Sequence, residues 1–300
     1  MITRRHFITA TALGAAACAI PVSLRAGEPH GDNTFAVFTK HLVGLDADQL
    51  GTRLEEIGVD AIEAPIRPQG HVEPERVKDD LPAFVGALKK HGVKVAILAS
   101  GINAVDPKQN TESVLRTAKS QGITRYRMDW YEYDPKKPVW DQLNEIKAKL
   151  KDLVALSKEI GILPCYQNHS GGKYVGGLVW DMAMLMRDYK PTELAWGFDI
   201  MHATAEAAIS WPTLVNVASS QLGVLYFKNF KWDGKRRIPV PLAEGVIDRK
   251  CVEKFKEKNF AGPICIHIEY LSGTVKNPDY LRDAISATRR DYSTLKAWWS

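Results

Sequence analysis

Eight times along the chain a short apolar run gives way to a longer amphipathic stretch, and this rhythm restricts the fold more than any single residue does. The runs are Thr34–Phe38, Asp60–Ala64, Val93–Leu98, Thr124–Met128, Ile162–Tyr166, Leu194–Phe198, Gly223–Phe227 and Ile264–Ile268. Their starts are separated by 26, 33, 31, 38, 32, 29 and 41 residues. A parallel strand, its helix and two loops need about 30 residues. Runs rich in Val, Ile and aromatics suit strands covered on both faces. Eight such units match a (β/α)8 TIM barrel, whose usual length is ~250 residues. A doubly wound open sheet would share the period, but no GxGxxG fingerprint follows the first run.

Helix boundaries support the same phasing. Glu73–His91 opens with Pro74 and stops at Gly92, Val139–Ile160 stops at Gly161, and Pro278–Trp299 closes the chain. Trp298 and Trp299 are expected to pack on the lower rim of the barrel. With no linker, repeat or low-complexity stretch, residues 27–300 read as one domain.

Residues 1–26 read differently. Arg4 and Arg5 precede an uncharged run of small and apolar residues from Ala10 to Ile20, which exits through Ser23-Leu24-Arg25-Ala26. This pattern predicts an export signal of the twin-arginine type, with the twin-arginine export machinery as partner and a periplasmic or extracellular destination. An amphipathic first helix or a membrane anchor is the alternative. The apolar stretch falls short of the ~18–20 residues of a spanning helix, so no stable membrane insertion is expected once the signal is removed. Cys18 lacks the bulky residue three positions earlier that a lipoprotein box requires, so lipid anchoring is not expected.

Charge and cysteine content narrow the function classes. The formal charge is +5, and Arg4, Arg5 and Arg25 supply three of it with no acid in that segment. The remaining chain at +2 carries no basic stripe interleaved with aromatics, which argues against nucleic acid. Cys165, Cys251 and Cys265 lack CxxC spacing, so neither a disulfide framework nor a zinc knuckle follows.

In a barrel of this type the chemistry lies where strands end. Those ends bring Lys40 and His41, Glu63 and Arg67, Ser100 and Asn103, Asp129, Gln167 with Asn168 and His169, Asp199 and His202, Lys228 and Asn229, and Glu269. Asn168 and His169 serve either as loop caps or as ligand contacts. Asp199 caps the following helix or faces the pocket. In Ile264–Tyr270 the alternation puts His267 and Glu269 on one face, and an inward Glu269 needs a cation or substrate beside it. Trp130, Tyr131, Phe230 and Trp232 are candidates for stacking on sugar faces or for packing.

The run of strand-end motifs resembles the xylose isomerase-like TIM-barrel superfamily, the sugar phosphate isomerase/epimerase group, over roughly Thr34 to Leu295. It rests on Gln167-Asn168-His169-Ser170-Gly171, Phe198-Asp199-Ile200-Met201-His202-Ala203, Phe227-Lys228-Asn229-Phe230 and Ile268-Glu269-Tyr270. Arg67-Pro68, Gly70-His71 and Asp80-Leu81-Pro82 are similar to an exported bacterial subgroup. The resemblance implies a divalent metal (Mn, Mg, Co or Zn) held by two glutamates, an aspartate and a histidine, and a proton moved between adjacent sugar carbons. Asp199 and Glu269 match two ligands, and His202 matches a substrate-binding histidine. Gln167 stands where the first glutamate belongs, Tyr226 where the histidine belongs, and Asn229 replaces an aspartate. Amide and phenol compensate little cation charge, and an amide takes no proton at neutral pH. The branch therefore binds metal through other groups, with His169 and Glu63 available, or has lost it.

The expected protein is a sugar isomerase or epimerase acting on a small-molecule carbohydrate. Glu269, Asp199 and Lys228 form the catalytic set, and Asp199, Glu269 and Gln167 mark the metal position. His202, His169, Asn168, Arg67, Glu63 and Trp232 are the expected substrate contacts. A non-catalytic carbohydrate-binding barrel and a lyase on an oxidised sugar are the alternatives. An endonuclease of the same superfamily would need a multi-zinc cluster and a basic groove that the sequence lacks.

Overall fold

A computed structural model describes residues 33–275 and 277–300; the expected export signal at residues 1–26 lies outside them. Eight parallel strands close into a barrel: β1 (Phe35–Phe38), β2 (Ala61–Pro65), β3 (Lys94–Ala99), β4 (Arg125–Arg127), β5 (Leu163–Gln167), β6 (Ala195–Asp199), β7 (Leu222–Phe227) and β10 (Ile264–Ile266). Each falls within about one residue of an apolar run at its start, and the last strand pairs with the first through Phe35 and Ile264. Closure removes the open-sheet alternative.

The helices follow the predicted phasing. They are α1 (Ala47–Ile57), α2 (Val77–Lys90), α3 (Thr111–Ser120), α4 (Val139–Ile160), α5 (Trp180–Met186), α6 (Ile200–Ala207), α7 (Trp211–Ala218), α8 (Lys250–Lys256) and α9 (Pro278–Trp299). Gly161, at φ 77°, stops α4 because a left-handed cap frees the last carbonyls to bond. The stretch predicted as a helix from Glu73 begins instead as a short 3-10 turn, Pro74–Arg76, before α2. Trp299 reaches the lower rim and meets Phe35 edge-on at 6.3 Å. Among the described residues no helix is long and apolar enough to cross a membrane.

Strand alternation sorts side chains into two cores. Val37, Ile62, Tyr126, Tyr166, Phe198, Phe227 and Ile266 face the helices. Ala36, Ala61, Cys165, Ala195, Val224 and Cys265 fill the barrel interior with small groups. Further along the strands the same inward parity delivers Glu63, Arg127, Gln167, Asp199, Tyr226 and His267, all buried. A polar layer is thus stacked on an apolar floor.

One glycine is required by close approach. A Cβ at Gly197 would lie 2.7 Å from Cε2 of the Tyr226 ring, whereas one at Gly86 on α2 would meet nothing within 4 Å. Gly197→Ala is expected to destabilise by about 1–3 kcal/mol. Gly86→Ala is expected to stabilise by about 0.4–1 kcal/mol. Urea unfolding of the two variants checks the pair, and equal midpoints would refute this packing.

A hairpin that the apolar rhythm does not signal follows β7. Strands β8 (Asn229–Asp233) and β9 (Arg236–Val240) pair antiparallel around Gly234, whose φ of 58° suits a two-residue turn. The Asp233-Gly234 pair was the available signal. Phe230 is buried and packs on Trp232 at 5.1 Å, and Tyr131 is buried against Tyr166, so neither stacks on a sugar. Trp232 is half exposed on the hairpin.

Candidate active site

A closed circuit of charged and polar side chains spans the mouth of the barrel. Glu63 on β2 accepts from Arg127 Nε of β4 at 2.6 Å, and Arg127 Nη1 donates to Gln167 Oε1 of β5 at 2.9 Å. Gln167 Nε2 in turn donates to Asp199 Oδ2 of β6 at 2.8 Å. Lys228, just past β7, stands 3.3 Å from Asp199 Oδ2 and 3.1 Å from Glu269 Oε2. His267 closes the circuit, with Nε2 at 3.0 Å from Glu63 and Nδ1 at 3.9 Å from Glu269. Lys40 at the end of β1 adds a 2.7 Å contact to Glu269 Oε1.

This circuit explains Gln167. Its side chain must accept from a guanidinium and donate to a carboxylate, which an amide does and an ionised glutamate cannot. Tyr226, where the resemblance expects a histidine, is committed in the same way: its hydroxyl donates to Glu63 at 3.3 Å. Asp199 does both things expected of it. Oδ1 caps α6 through the backbone N–H groups of Met201 and His202, while Oδ2 faces Gln167 and Lys228.

Members of the circuit differ in access. Glu63 and Asp199 are fully buried, whereas the Glu269 side chain is 24 % exposed. Burial opposes the charged form of Glu63, but Arg127 and His267 overcome it and hold the carboxyl at about 2. Burial also opposes charge on Glu269, and Lys228, Lys40 and His267 together hold it well below the ordinary carboxylate range. Burial lowers the Lys40 ammonium despite its Glu269 partner.

A histidine wing borders the circuit. His202 is buried, bonds Ser170 Oγ through Nδ1 at 2.7 Å, and leaves Nε2 unpartnered 3.6 Å from Asp199. The His169 ring packs tilted against His202, with centroids 4.0 Å apart, and against Trp130 at 4.5 Å, whose indole N–H has no partner among the described residues. Arg237 of the unforeseen hairpin donates to Ser170. Burial depresses His202 far below its ordinary value and brings His169 down to about 4, so both rings are neutral near pH 7.

The predicted contacts separate into groups. Glu269, Asp199, Lys228, Gln167, His202 and His169 come together as expected. Asn168 does not join them, because it spends both amide atoms on the Asp199 backbone, tying β5 to β6. Glu63 lies beneath the mouth, supporting the circuit from below. Arg67 projects toward the mouth over Phe38, 5.6 Å from the ring centroid, with no hydrogen-bonded acid among the described residues. Arg127 was missed, although Arg125-Tyr126-Arg127 alternates and marks an inward cation.

The metal position does not fit a divalent ion as the donors stand. Asp199 and Glu269 share the Lys228 ammonium, and the Gln167 amide is committed on both sides. Among the described residues, Glu63, Cys265 and His267 are the donor group close enough to share an ion, with ligand atoms within 4.8 Å. Arg127 already occupies that carboxylate, and burial keeps the Cys265 thiol protonated.

These shifts set the response to acid. Burial holds His41 at about 3 and His71 at about 4 against an ordinary 6.5, so below that pH the unfolded chain binds protons that the native one refuses. Stability therefore falls as pH drops from about 6.5. Glu63, depressed to about 2 from 4.5, adds a contribution present above the ordinary value and lost on further acidification. Calorimetric Tm is expected to decline steadily between pH 7 and pH 4; a flat or rising Tm would contradict the burial of these groups.

The family model described as xylose isomerase-like TIM barrel matches residues 52–291. Among solved structures, the chain is similar to the IOLI protein with a binding zinc atom, at 16% identity over 89% of this chain and 98% of that one, with a TM-score of 0.68. It is also similar to D-psicose 3-epimerase with D-tagatose from Clostridium cellulolyticum H10, at 12% identity, 87% and 98% coverage and a TM-score of 0.63. The probable 3-DHS dehydratase AsbF from Bacillus anthracis aligns at 12% identity, 88% and 98% coverage and a TM-score of 0.67. At these identities the structural likeness shows the fold alone. No curated protein matches by sequence.

Proposed function

Because the chain belongs to the xylose isomerase-like TIM-barrel family, we propose that it is a sugar isomerase or epimerase that moves a proton between adjacent carbons of a small carbohydrate. The observation that carries this reading is Glu269, a partly exposed carboxylate at the mouth with an ammonium on each oxygen. It can take a proton from a carbon next to a carbonyl while the electron pair moves onto the carbonyl oxygen. Lys228 and Lys40 are placed to stabilise the enediolate that results. A substrate oxygen that draws these ammoniums away from Glu269 also relieves the charge that depresses its basicity. Glu269 then gives the proton to the neighbouring carbon from the same face while the hydroxyl proton passes to the former carbonyl oxygen, which yields the isomer. Protonation of the original carbon by water from the opposite face, with Glu269 releasing its proton to solvent, yields the epimer.

The other groups bind and orient. His202 Nε2, the Trp130 indole N–H and Arg67 meet substrate oxygens, and neutral imidazoles suit hydroxyl groups. Asp199 anchors Lys228 from below. We place the active protein outside the cytoplasm, on the strength of the Arg4-Arg5 signal pattern.

A second reading follows from Arg67. A guanidinium with no hydrogen-bonded acid among the described residues suits a carboxylate, so a lyase that removes a β-hydroxyl from an oxidised sugar uses the same Glu269 step, the hydroxyl leaving as water on the abstracted proton. The test is incubation of the purified protein with neutral ketoses and aldoses and with sugar acids, with chromatographic product analysis. An isomer or epimer supports the first reading, and a dehydrated product the second. Binding of a sugar without conversion of any would contradict both.

A further inference from the structure

The charges of the circuit balance without an added ion. Three buried or half-buried carboxylates, Glu63, Asp199 and Glu269, are matched by Arg127, Lys228 and Lys40. A divalent ion at the mouth would enter a site with no spare negative charge and would face at least one ammonium directly. We propose that Lys228 takes the place and charge role of the family's divalent ion, so that this chain is built to work without one. The inference rests on the sugar-enzyme reading for its catalytic meaning, but the ion-binding claim stands on the side-chain arrangement alone.

Three features support it together. The Lys228 nitrogen lies between the two carboxylates that match metal ligands, 3.3 Å and 3.1 Å away. Lys228 is 5 % exposed, so it sits as a built-in counter-ion and not as a passing surface contact. The remaining two positions of the ligand set have been turned to other partners, Gln167 to Arg127 and Asp199, and Tyr226 to Glu63. A lone Glu-to-Gln change would weaken a metal site. The coordinated Gln167, Tyr226 and Lys228 arrangement replaces it.

The inference predicts a gain of binding on removing one residue. Lys228→Ala removes the ammonium between Asp199 Oδ2, which keeps only its Gln167 amide bond, and Glu269 Oε2, so that the two oxygens can share an added ion, with His202 Nε2 unpartnered beside Asp199. The test measures metal content of the purified full chain by mass spectrometry, then titrates Mn2+ or Zn2+ alone into wild type, Lys228→Ala and Lys228→Gln, following heat and Tm. The wild type is expected to hold substoichiometric metal and to show no Tm shift. Lys228→Ala is expected to bind Mn2+ or Zn2+ at least about tenfold more tightly than wild type, since the free carboxylate charge at a site sets its affinity. Lys228→Gln provides the same comparison if the alanine variant loses its near-ultraviolet circular dichroism. A stoichiometric ion in the wild type, or no gain in either folded variant, overturns the proposal. Neither readout requires a substrate, so failure here and failure of the sugar-enzyme reading are separate results.

Discussion

Glu269→Gln is expected to lower turnover of the accepted sugar by about 10²–10⁴-fold, the usual contribution of a positioned general acid or base. Glutamine keeps the size and one acceptor oxygen, so Lys40 and Lys228 retain part of their bonding, yet the amide cannot take a proton at neutral pH. The loss should fall on kcat with little change in KM, because substrate contacts from His202, Trp130 and Arg67 remain. Steady-state kinetics with the best substrate from the product screen measures the split. A variant within a few-fold of wild-type kcat would remove Glu269 from the proton-transfer step.

The largest stability effect is expected at Arg127. Its guanidinium is buried, its Nε lies 2.6 Å from a fully buried carboxylate, and it rests 4.8 Å from the Phe38 ring centroid. Arg127→Met would strand the Glu63 charge beside His267, Tyr226 and the Cys265 thiol, with no guanidinium to balance it. Removing one partner of a buried ion pair typically costs about 3–5 kcal/mol. For a domain of this size that corresponds to a Tm loss of roughly 2–4 °C per kcal/mol. Arg127→Met combined with Glu63→Gln should recover much of the loss, because the stranded charge is then gone. A double-mutant cycle by denaturant unfolding tests this, and strictly additive effects would contradict the pairing.

The barrel was legible because its signals are local and repeated. Apolar runs with the parity of a strand, separated by glycine-stopped helices such as α4, fix both the number of units and their order. The site was legible in part for the same reason. Inward parity at a strand end places Glu63, Gln167, Asp199 and Glu269 on one mouth whatever their partners are. What those side chains do there depends on contacts between residues far apart in the chain. Lys228 reads as an enediolate partner or as a salt bridge to Glu269 or Asp199 until those two acids are placed around it. Gln167 reads as a lost ligand until Arg127 appears on its other side. Arg127 itself was hidden inside a run taken as apolar, although its alternation with Tyr126 was visible. Asn168 spends its amide on the Asp199 backbone, because a strand-end amide satisfies its neighbour's backbone as readily as a ligand. The hairpin carrying Arg237 shows in the sequence only as the 41-residue spacing before the last run, the longest of the seven, and as the Asp233-Gly234 pair.

The proton transfer itself can be watched directly. The wild-type protein, treated with a chelator and held in D2O with the sugar that it converts, should introduce deuterium at the carbon next to the carbonyl, read by proton NMR as loss of that C–H signal. The account predicts exchange at the same rate with and without chelator, and its abolition in Glu269→Gln. Conversion with no deuterium incorporated, or exchange that stops when the chelator is added, would contradict it.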